Sequence, residues 1–302
     1  MAARSRQRLK AGLVASAFGL AGVGLALSAC AADPDVPGDP SGGGAGPPPV
    51  PASPVSLWLS ADRVPQGPVE LVGILLNHDG VDATFGVEAT VDRWDGDEWI
   101  PHGKLVVCMD HWHCTSRIEP AGGDGAVPAI GFSPSVGNPG PVERFTTEGL
   151  DLGWYRISQV ANEGTTAAAI FEVAGAAPGP APLVSVDAPA ISVTPVLLPP
   201  SGAQIDLYPL IPAPSGSQSR QDIERAIAGL SEIALIERWN GSGWESAGEV
   251  RLHEIQGDSL PRSAELPPLA EGVYRLVRRG PDVDHVGHFW VDAAAEVVAA
   301  DG

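Results

Sequence analysis

A chain of 302 residues with 37 Asp plus Glu against 18 Lys plus Arg carries a formal net charge of −19. A surface this acidic repels phosphate backbones, which excludes nucleic acid as a partner class. Hydrophobic residues make up 44 % of the chain, enough to build ordinary cores, and Gly (37) and Pro (30) supply many turns and linkers.

The chain opens with Arg4, Arg6, Arg8 and Lys10, followed by an uncharged run over 11–29 that closes on Leu27-Ser28-Ala29-Cys30. A basic start, an apolar middle and small residues at the end describe a secretory signal peptide. The competing reading is an uncleaved anchor, since ~20 apolar residues cross a bilayer. The Ala and Gly richness of the run, and the absence of a basic cluster over 33–51, favour cleavage. A Cys directly after the small residues resembles the lipobox of bacterial lipoproteins. That resemblance implies cleavage before Cys30 and acyl chains, palmitate among them, on Cys30. It further implies a location on the extracytoplasmic face of the cell membrane, with the membrane as a partner through that lipid. No paired arginines occur at the start, so general secretion is expected over twin-arginine export.

Residues 30–54 are Pro, Gly, Ser and a few Asp, a composition that reads as a disordered tether. A second Pro- and Gly-rich stretch, AGAAPGPAP, begins at residue 174. The expected division is a signal peptide over 1–29, the tether over 30–54 and a first domain over 55–176. A linker over 177–188, a second domain over 189–295 and a disordered tail over 296–302 complete it. The two domains look like copies of each other. VDRWDGDEW (91–99) matches IERWNGSGW (236–244), and LDLGWYRI (150–157) matches LAEGVYRL (269–276). Each copy then ends on an apolar run bearing an aromatic, AAAIFEV (167–173) and VGHFWV (286–291). A period above a hundred residues means tandem domains rather than a solenoid.

Each copy reads as β. VELVGILL (69–76) and VEATVDRW (87–94) are rich in β-branched residues and bounded by turn formers. Asp95-Gly96 and Asn240-Gly241 predict type I′ hairpin turns, with the flanking Trp residues facing each other across the hairpin. Tyr155 and Tyr274 sit where a sandwich wants a core or corner aromatic. Arg156 and Arg275 alternate outward and are expected to pair with carboxylates. Only DIERAIAGL (222–230) has helical spacing. The fold class is therefore all-β, as two tandem antiparallel sandwiches. The first copy resembles the bacterial immunoglobulin-like domain of secreted and lipid-anchored proteins of Gram-positive bacteria, through Asn77, Phe85, Gly86, Trp99, Gly153, Tyr155 and Arg156. The second keeps Trp239, Trp244, Gly272, Tyr274 and Arg275 but lacks the Asn and the Phe-Gly. The resemblance implies an immunoglobulin-like fold and a surface location, and no catalytic residues.

The one concentrated polar cluster is CMDHWHC (108–114), with His102 just upstream. Cys108, His111, His113 and Cys114 are zinc or copper ligand types, and Asp110 could join them. The spacing is poor for a zinc knuckle, and an oxidising compartment makes a Cys108–Cys114 disulfide the default. His285 and His288 fall on opposite faces of a strand and are expected at the surface or a strand end. The acidic runs at 33–39 and 95–98 lack the ligand spacing of a calcium loop and read as solvated turns. No nucleophile elbow, P-loop, dinucleotide fingerprint or H-E-x-x-H occurs. The expectation is a non-enzymatic binding or structural protein of the bacterial envelope, with no cofactor, and with envelope polymer or protein as the partner class. The alternative is a metal-handling lipoprotein that uses the 108–114 loop.

With Cys30 lipidated, Cys108 and Cys114 are expected to be joined, fixing the tip between them and contributing about 2 kcal/mol. Mass spectrometry of the non-reduced, alkylated protein checks this. Two alkylated thiols, or stoichiometric zinc or copper lost on chelation, favour the metal alternative instead.

Overall fold

The computed structural model describes residues 46–106, 115–120, 131–132, 134, 143–185, 188–210, 220–255 and 261–299. The fold is all-β, in two sandwiches. The first sandwich runs β1 (Val55–Leu59), β2 (Arg63–Pro65), β3 (Glu70–Asn77), β4 (Phe85–Gly86), β5 (Glu88–Trp94) and β6 (Trp99–Val106). It continues with β7 (Ser116–Pro120), β8 (Gly131–Phe132), β9 (Glu143–Thr146), β10 (Gly153–Val160) and β11 (Thr166–Ala174). One sheet is β1-β3-β9, and the facing sheet is β6-β5-β10-β11-β2. Strand β7 joins them at one side, pairing with β6 and with β9. The opening strands split between the sheets: β1 lies antiparallel to β3, and β2 parallel to β11. Between the sheets, Leu71, Leu75, Val91, Leu105, Phe145, Tyr155, Ile157 and Phe171 form the core.

The second sandwich comprises β12 (Ala190–Thr194), β13 (Leu197–Leu198), β14 (Ala203–Leu210), β15 (Ile233–Trp239) and β16 (Trp244–Arg251). After these come β17 (His253–Glu254), β18 (Arg262–Leu266), β19 (Gly272–Arg278) and β20 (His285–Val291). Strands β12-β14-β18-β17 face β16-β15-β19-β20. Here too the opening strands split, with β12 antiparallel to β14 and β13 parallel to β20. Helix α1 (Arg220–Ile227) falls on the segment with helical spacing. Helix α2 (Ala294–Ala299) follows β20, beginning in the expected second domain and continuing over residues 296–299, where a disordered tail is expected.

The hairpin turns differ from expectation. Trp94 pairs with Trp99 and Trp239 with Trp244, so four residues separate each pair. A two-residue type I′ turn would have paired Trp94 with Asp97. Asp95 instead begins the turn, and its carboxylate accepts the N–H groups of Asp97 and Glu98 at 2.8 Å each. Asn240 accepts those of Ser242 and Gly243 in the same way. The short polar side chain supplies the turn that backbone alone was expected to make. The glycine that follows takes the positive φ, +109° at Gly96 and +96° at Gly241.

The two sandwiches pack against each other. Strand β3 is buried almost throughout. Its Leu71 and Leu75 enter the first core, while Val72, Ile74 and Leu76 point away from it. These three meet Val196, Leu197, Trp290 and Ala295 of the second sandwich. Trp58 stands edge-on to Trp290, ring centres 6.0 Å apart, and its indole N–H donates to Asp292 at 3.0 Å. The connecting segment joins this layer, with Ala181 buried and Leu183 packed against the cluster.

Removing the aromatic that both sandwiches share should show how strongly they are coupled. Trp290→Ala is expected to cost about 3–5 kcal/mol. In urea unfolding followed by fluorescence and circular dichroism, the wild type should give one transition and the variant two.

Candidate functional site

The sheets β6-β5-β10-β11-β2 and β16-β15-β19-β20 carry the same set of contacts on the strands around their hairpins. Gly153 and Gly272 open β10 and β19 with φ of +144° and +152°, which an L side chain rarely adopts. Arg93 and Arg238 lie against these glycines, where an added Cβ would come within 3.5 Å and 3.0 Å of a guanidinium. Arg93 donates to the Leu152 carbonyl, and Arg238 to that of Glu271. Two residues on, Tyr155 donates its hydroxyl to the Asp151 carbonyl at 3.1 Å, and Tyr274 donates to that of Ala270 at 2.7 Å. This is the tyrosine corner of immunoglobulin-like sandwiches. Each Tyr stacks on the aromatic of the next strand, Phe171 or Phe289. Burial, before any other cause, raises both phenol pKa values.

On the outer face, the next residue is Arg156 or Arg275. Arg156 donates to Asp92 and lies 4.8 Å above the ring of Trp99. Arg275 donates to Glu237 and lies 4.6 Å above Trp244. Each Trp is held by its hairpin partner, Trp94 at 5.3 Å and Trp239 at 5.4 Å. The expected carboxylate pairing of both arginines is present, and the indole stack comes in addition.

The outer faces diverge beyond that unit. In the first sandwich, Trp154, Arg156 and Ser158 of β10 stand beside Glu172, Ile170 and Ala168 of β11. Residues 46–54 cross this face without forming a strand. Two grooves flank them. One, of about 640 Å³, is lined by Pro48, Pro51, Trp99, Arg156, Ala168 and Ile170 among others. The other, of about 460 Å³, is lined by Pro47, Val50, Arg63, Trp154, Ile170 and Glu172 among others. Alternation in GWYRISQV already sets Trp154, Arg156 and Ser158 on one face. No sequence signal indicated that the Pro-rich run would meet them.

In the second sandwich the corresponding face is covered. His288 and Trp290 are buried there. His285 does open β20 as a strand-end residue, but both His285 and His288 are about 2 % exposed, which corrects the expectation of a surface position. They do fall on opposite faces of β20, but the first sandwich buries the outer one. His288 packs against Trp244 at 5.5 Å, and among the described residues neither ring nitrogen makes a hydrogen bond of full geometry, the Pro182 backbone being near it. Burial first, then the charges of Arg275 and Arg144, push its pKa down to about 3. His285 is lowered by burial first and then by Arg278. Arg144 spans the same layer, paired with Glu70 and donating to the Val184 carbonyl at 2.9 Å. Thr115 also donates to Glu70.

Cys30, Cys108, Asp110, His111, His113 and Cys114 lie outside the described residues. His102, upstream of that loop, stands edge-on to Tyr155 at 5.3 Å. Among the described residues, no group of three or more His, Cys, Asp or Glu is placed to hold a metal ion. The acidic turn at 95–98 is exposed, and its N–H groups, that of Glu98 first, lower the Asp95 pKa. Asn77 fixes the loop after β3, donating to the carbonyls of Val81 and Pro134.

Neither a family profile nor a curated protein matches the sequence. Among solved structures, the BSP domain of a biofilm-associated protein matches 80 % of this chain and 30 % of its own, at 15 % identity and a TM-score of 0.25. A transglutaminase of red sea bream matches 80 % of this chain and 32 % of its own, at 11 % identity and a TM-score of 0.25. Invasin, a bacterial integrin-binding protein, matches 79 % of this chain and 39 % of its own, at 11 % identity and a TM-score of 0.20. The chain thus spans 30–39 % of the length of these structures. What it does must be read from its own side chains.

A neutral His288 held near pKa 3, against 6.5 when exposed, makes stability depend on pH. The unfolded chain takes up the proton first, so the contribution is complete above pH 6.5 and is lost as pH falls toward 3. The slope is about 1.4 kcal/mol per pH unit, which amounts to roughly 3 kcal/mol by pH 4.5. Denaturant unfolding of the wild type and His288→Phe at pH 7.0 and 4.5 checks this. The wild type should lose that much more than the variant.

Proposed function

We propose that the protein is a lipid-anchored, extracytoplasmic binding or structural protein of the bacterial envelope, with no catalytic role. The observation that carries this reading is the order of parts. A signal-like run closing on Leu27-Ser28-Ala29-Cys30 leads through a Pro- and Gly-rich segment onto the outer face of two packed sandwiches. Acyl chains on Cys30 would hold it stably, where a single chain is marginal. The acidic body would stand off an anionic membrane surface on its tether. The Arg, Trp and Tyr units described above serve the frame: their charges are paired and their rings stacked. Among the described residues, the open grooves on the first sandwich offer a partner, an envelope polymer or a protein, its largest contact surface.

We further infer that the sandwiches are tandem copies of one domain. The support is the contact-for-contact match of Arg93, Trp94, Trp99, Tyr155, Arg156 and Phe171 with Arg238, Trp239, Trp244, Tyr274, Arg275 and Phe289. Random duplication of single residues would not repeat the ring stack, the hydroxyl bond and the cation stack together.

Cys30→Ser and cell fractionation test the anchoring. The wild type should partition with the membrane, and the variant should be released or retained as an unprocessed precursor. A wild type found soluble in the medium, or a variant that is processed and stays with the membrane, overturns the lipoprotein reading.

A further inference from the structure

The segment over residues 46–54 reads GPPPVPASP. Five prolines in nine residues favour the extended polyproline conformation, which leaves its backbone unpaired. The structure agrees on the unpaired backbone. The described contacts give residues 46–53 no backbone hydrogen bond to the sheet beneath them. The first backbone bond to a neighbouring strand's end is made at the Pro54 carbonyl, which accepts from His78. Ahead of that bond the segment lies against side chains, with Trp154 near Gly46 at one end and Trp99 at the other groove.

The surface beneath has what recognition of such a chain needs. Proline-rich segments dock in grooves walled by aromatic rings, because they arrive extended and lose little conformational entropy. Here Trp99 and Trp154 are the walls, and Ala168 and Ile170 form a low apolar floor. Trp99 is fixed from both sides, by Trp94 and by Arg156. The resident segment does not fill the site: grooves of about 640 and 460 Å³ stay open along it.

We propose that the outer face of β6-β5-β10-β11 is a receptor for proline-rich extended peptide, and that residues 46–54 are its resident, displaceable occupant. The partner is a proline-rich segment of another envelope protein. This deepens the binding reading above by naming a ligand class. It is independent of anchoring at Cys30, so either can fail alone.

The resident segment is a tethered competitor at an effective concentration in the millimolar range. It should therefore mask the site in the wild type. The test uses the full chain and a labelled synthetic peptide of residues 46–54, with a control peptide in which every Pro is Gly. Binding is read by fluorescence anisotropy. The expected result is weak binding to the wild type. A full-length variant with Pro48→Ser, Pro49→Ser and Pro51→Ser should bind at least about ten-fold tighter. Adding Ala168→Arg to that variant should abolish binding without changing its circular dichroism. Ile170→Glu serves as the second floor variant should the first fail to fold. The proposal is overturned if the Gly peptide binds as well, if unmasking gives no gain, if both floor variants leave binding unchanged, or if no peptide binding is found.

Discussion

Two strands without a solvent-facing side hold this molecule together. A free-standing sandwich needs strands that alternate, apolar toward the core and polar toward water. ELVGILLN of β3 fills both sets of positions, and so does HVGHFWV of β20. Left in water, Val72, Ile74, Leu76 and Trp290 would make a contiguous apolar patch, at about 1.5–3 kcal/mol for each aliphatic side chain. The sandwiches remove it by covering each other. Polar groups carried into that layer must then find partners inside it. Arg144 and Glu70 do so, because the Val184 carbonyl and the Thr115 hydroxyl complete their bonding. A buried pair lacking such completion would be destabilising. His288 avoids a buried charge by staying neutral, although its ring nitrogens find no such completion among the described residues.

Magnitudes separate what stabilises the sheets from what shapes their surface. The Arg156–Asp92 pair is partly exposed and is worth at most about 1 kcal/mol. A guanidinium over an indole at such a site adds roughly 0.5–1 kcal/mol. The buried Tyr155–Phe171 and Tyr274–Phe289 stacks add about 0.5–1.5 kcal/mol beyond the large area they bury. Stability therefore comes from the ring pairs in the core. The arginine stack mainly fixes an indole in one orientation. Both sandwiches keep that unit, whichever use their outer face is put to.

Much of this was legible in the residues. The repeated Trp-turn-Trp and Gly-x-Tyr-Arg blocks carry a local pattern, and local patterns determine hairpins, corners and alternation. The Tyr155 and Arg156 roles, the Trp pairing and the short helix α1 follow from it. The turn type did not follow, because Asp95 and Asn240 act through side-chain acceptors that a dipeptide rule ignores. His288 was misplaced for a different reason. Strand alternation says which face a residue occupies, but not that a second domain covers that face. The near-continuous apolar run of β3 was the available signal, since such runs mark strands buried on both sides. The Pro-rich segment marks the other limit. Its composition says that it cannot fold alone, which is compatible with lying on a surface that something else has built.

The two outer faces share one frame and differ in wetness. Register sets Val273 beside Trp290, Arg275 beside His288 and Val277 beside Val286 in the second sandwich. The first has Trp154 beside Glu172, Arg156 beside Ile170 and Ser158 beside Ala168. Changing Val277 to Ser and Trp290 to Glu at these equivalent places turns a face that must be buried into one that tolerates water. The second face accordingly takes a whole domain as its permanent cover. The first takes nine residues that make side-chain contacts and leave open grooves. A cover without ladder hydrogen bonds can lift locally while the sheet below stays intact, since opening free energy scales with the contacts broken. The same β-sheet surface thus serves as a fixed joint in one sandwich and as an accessible surface in the other. Two residues, Ser158 and Glu172, against Val277 and Trp290, carry the difference.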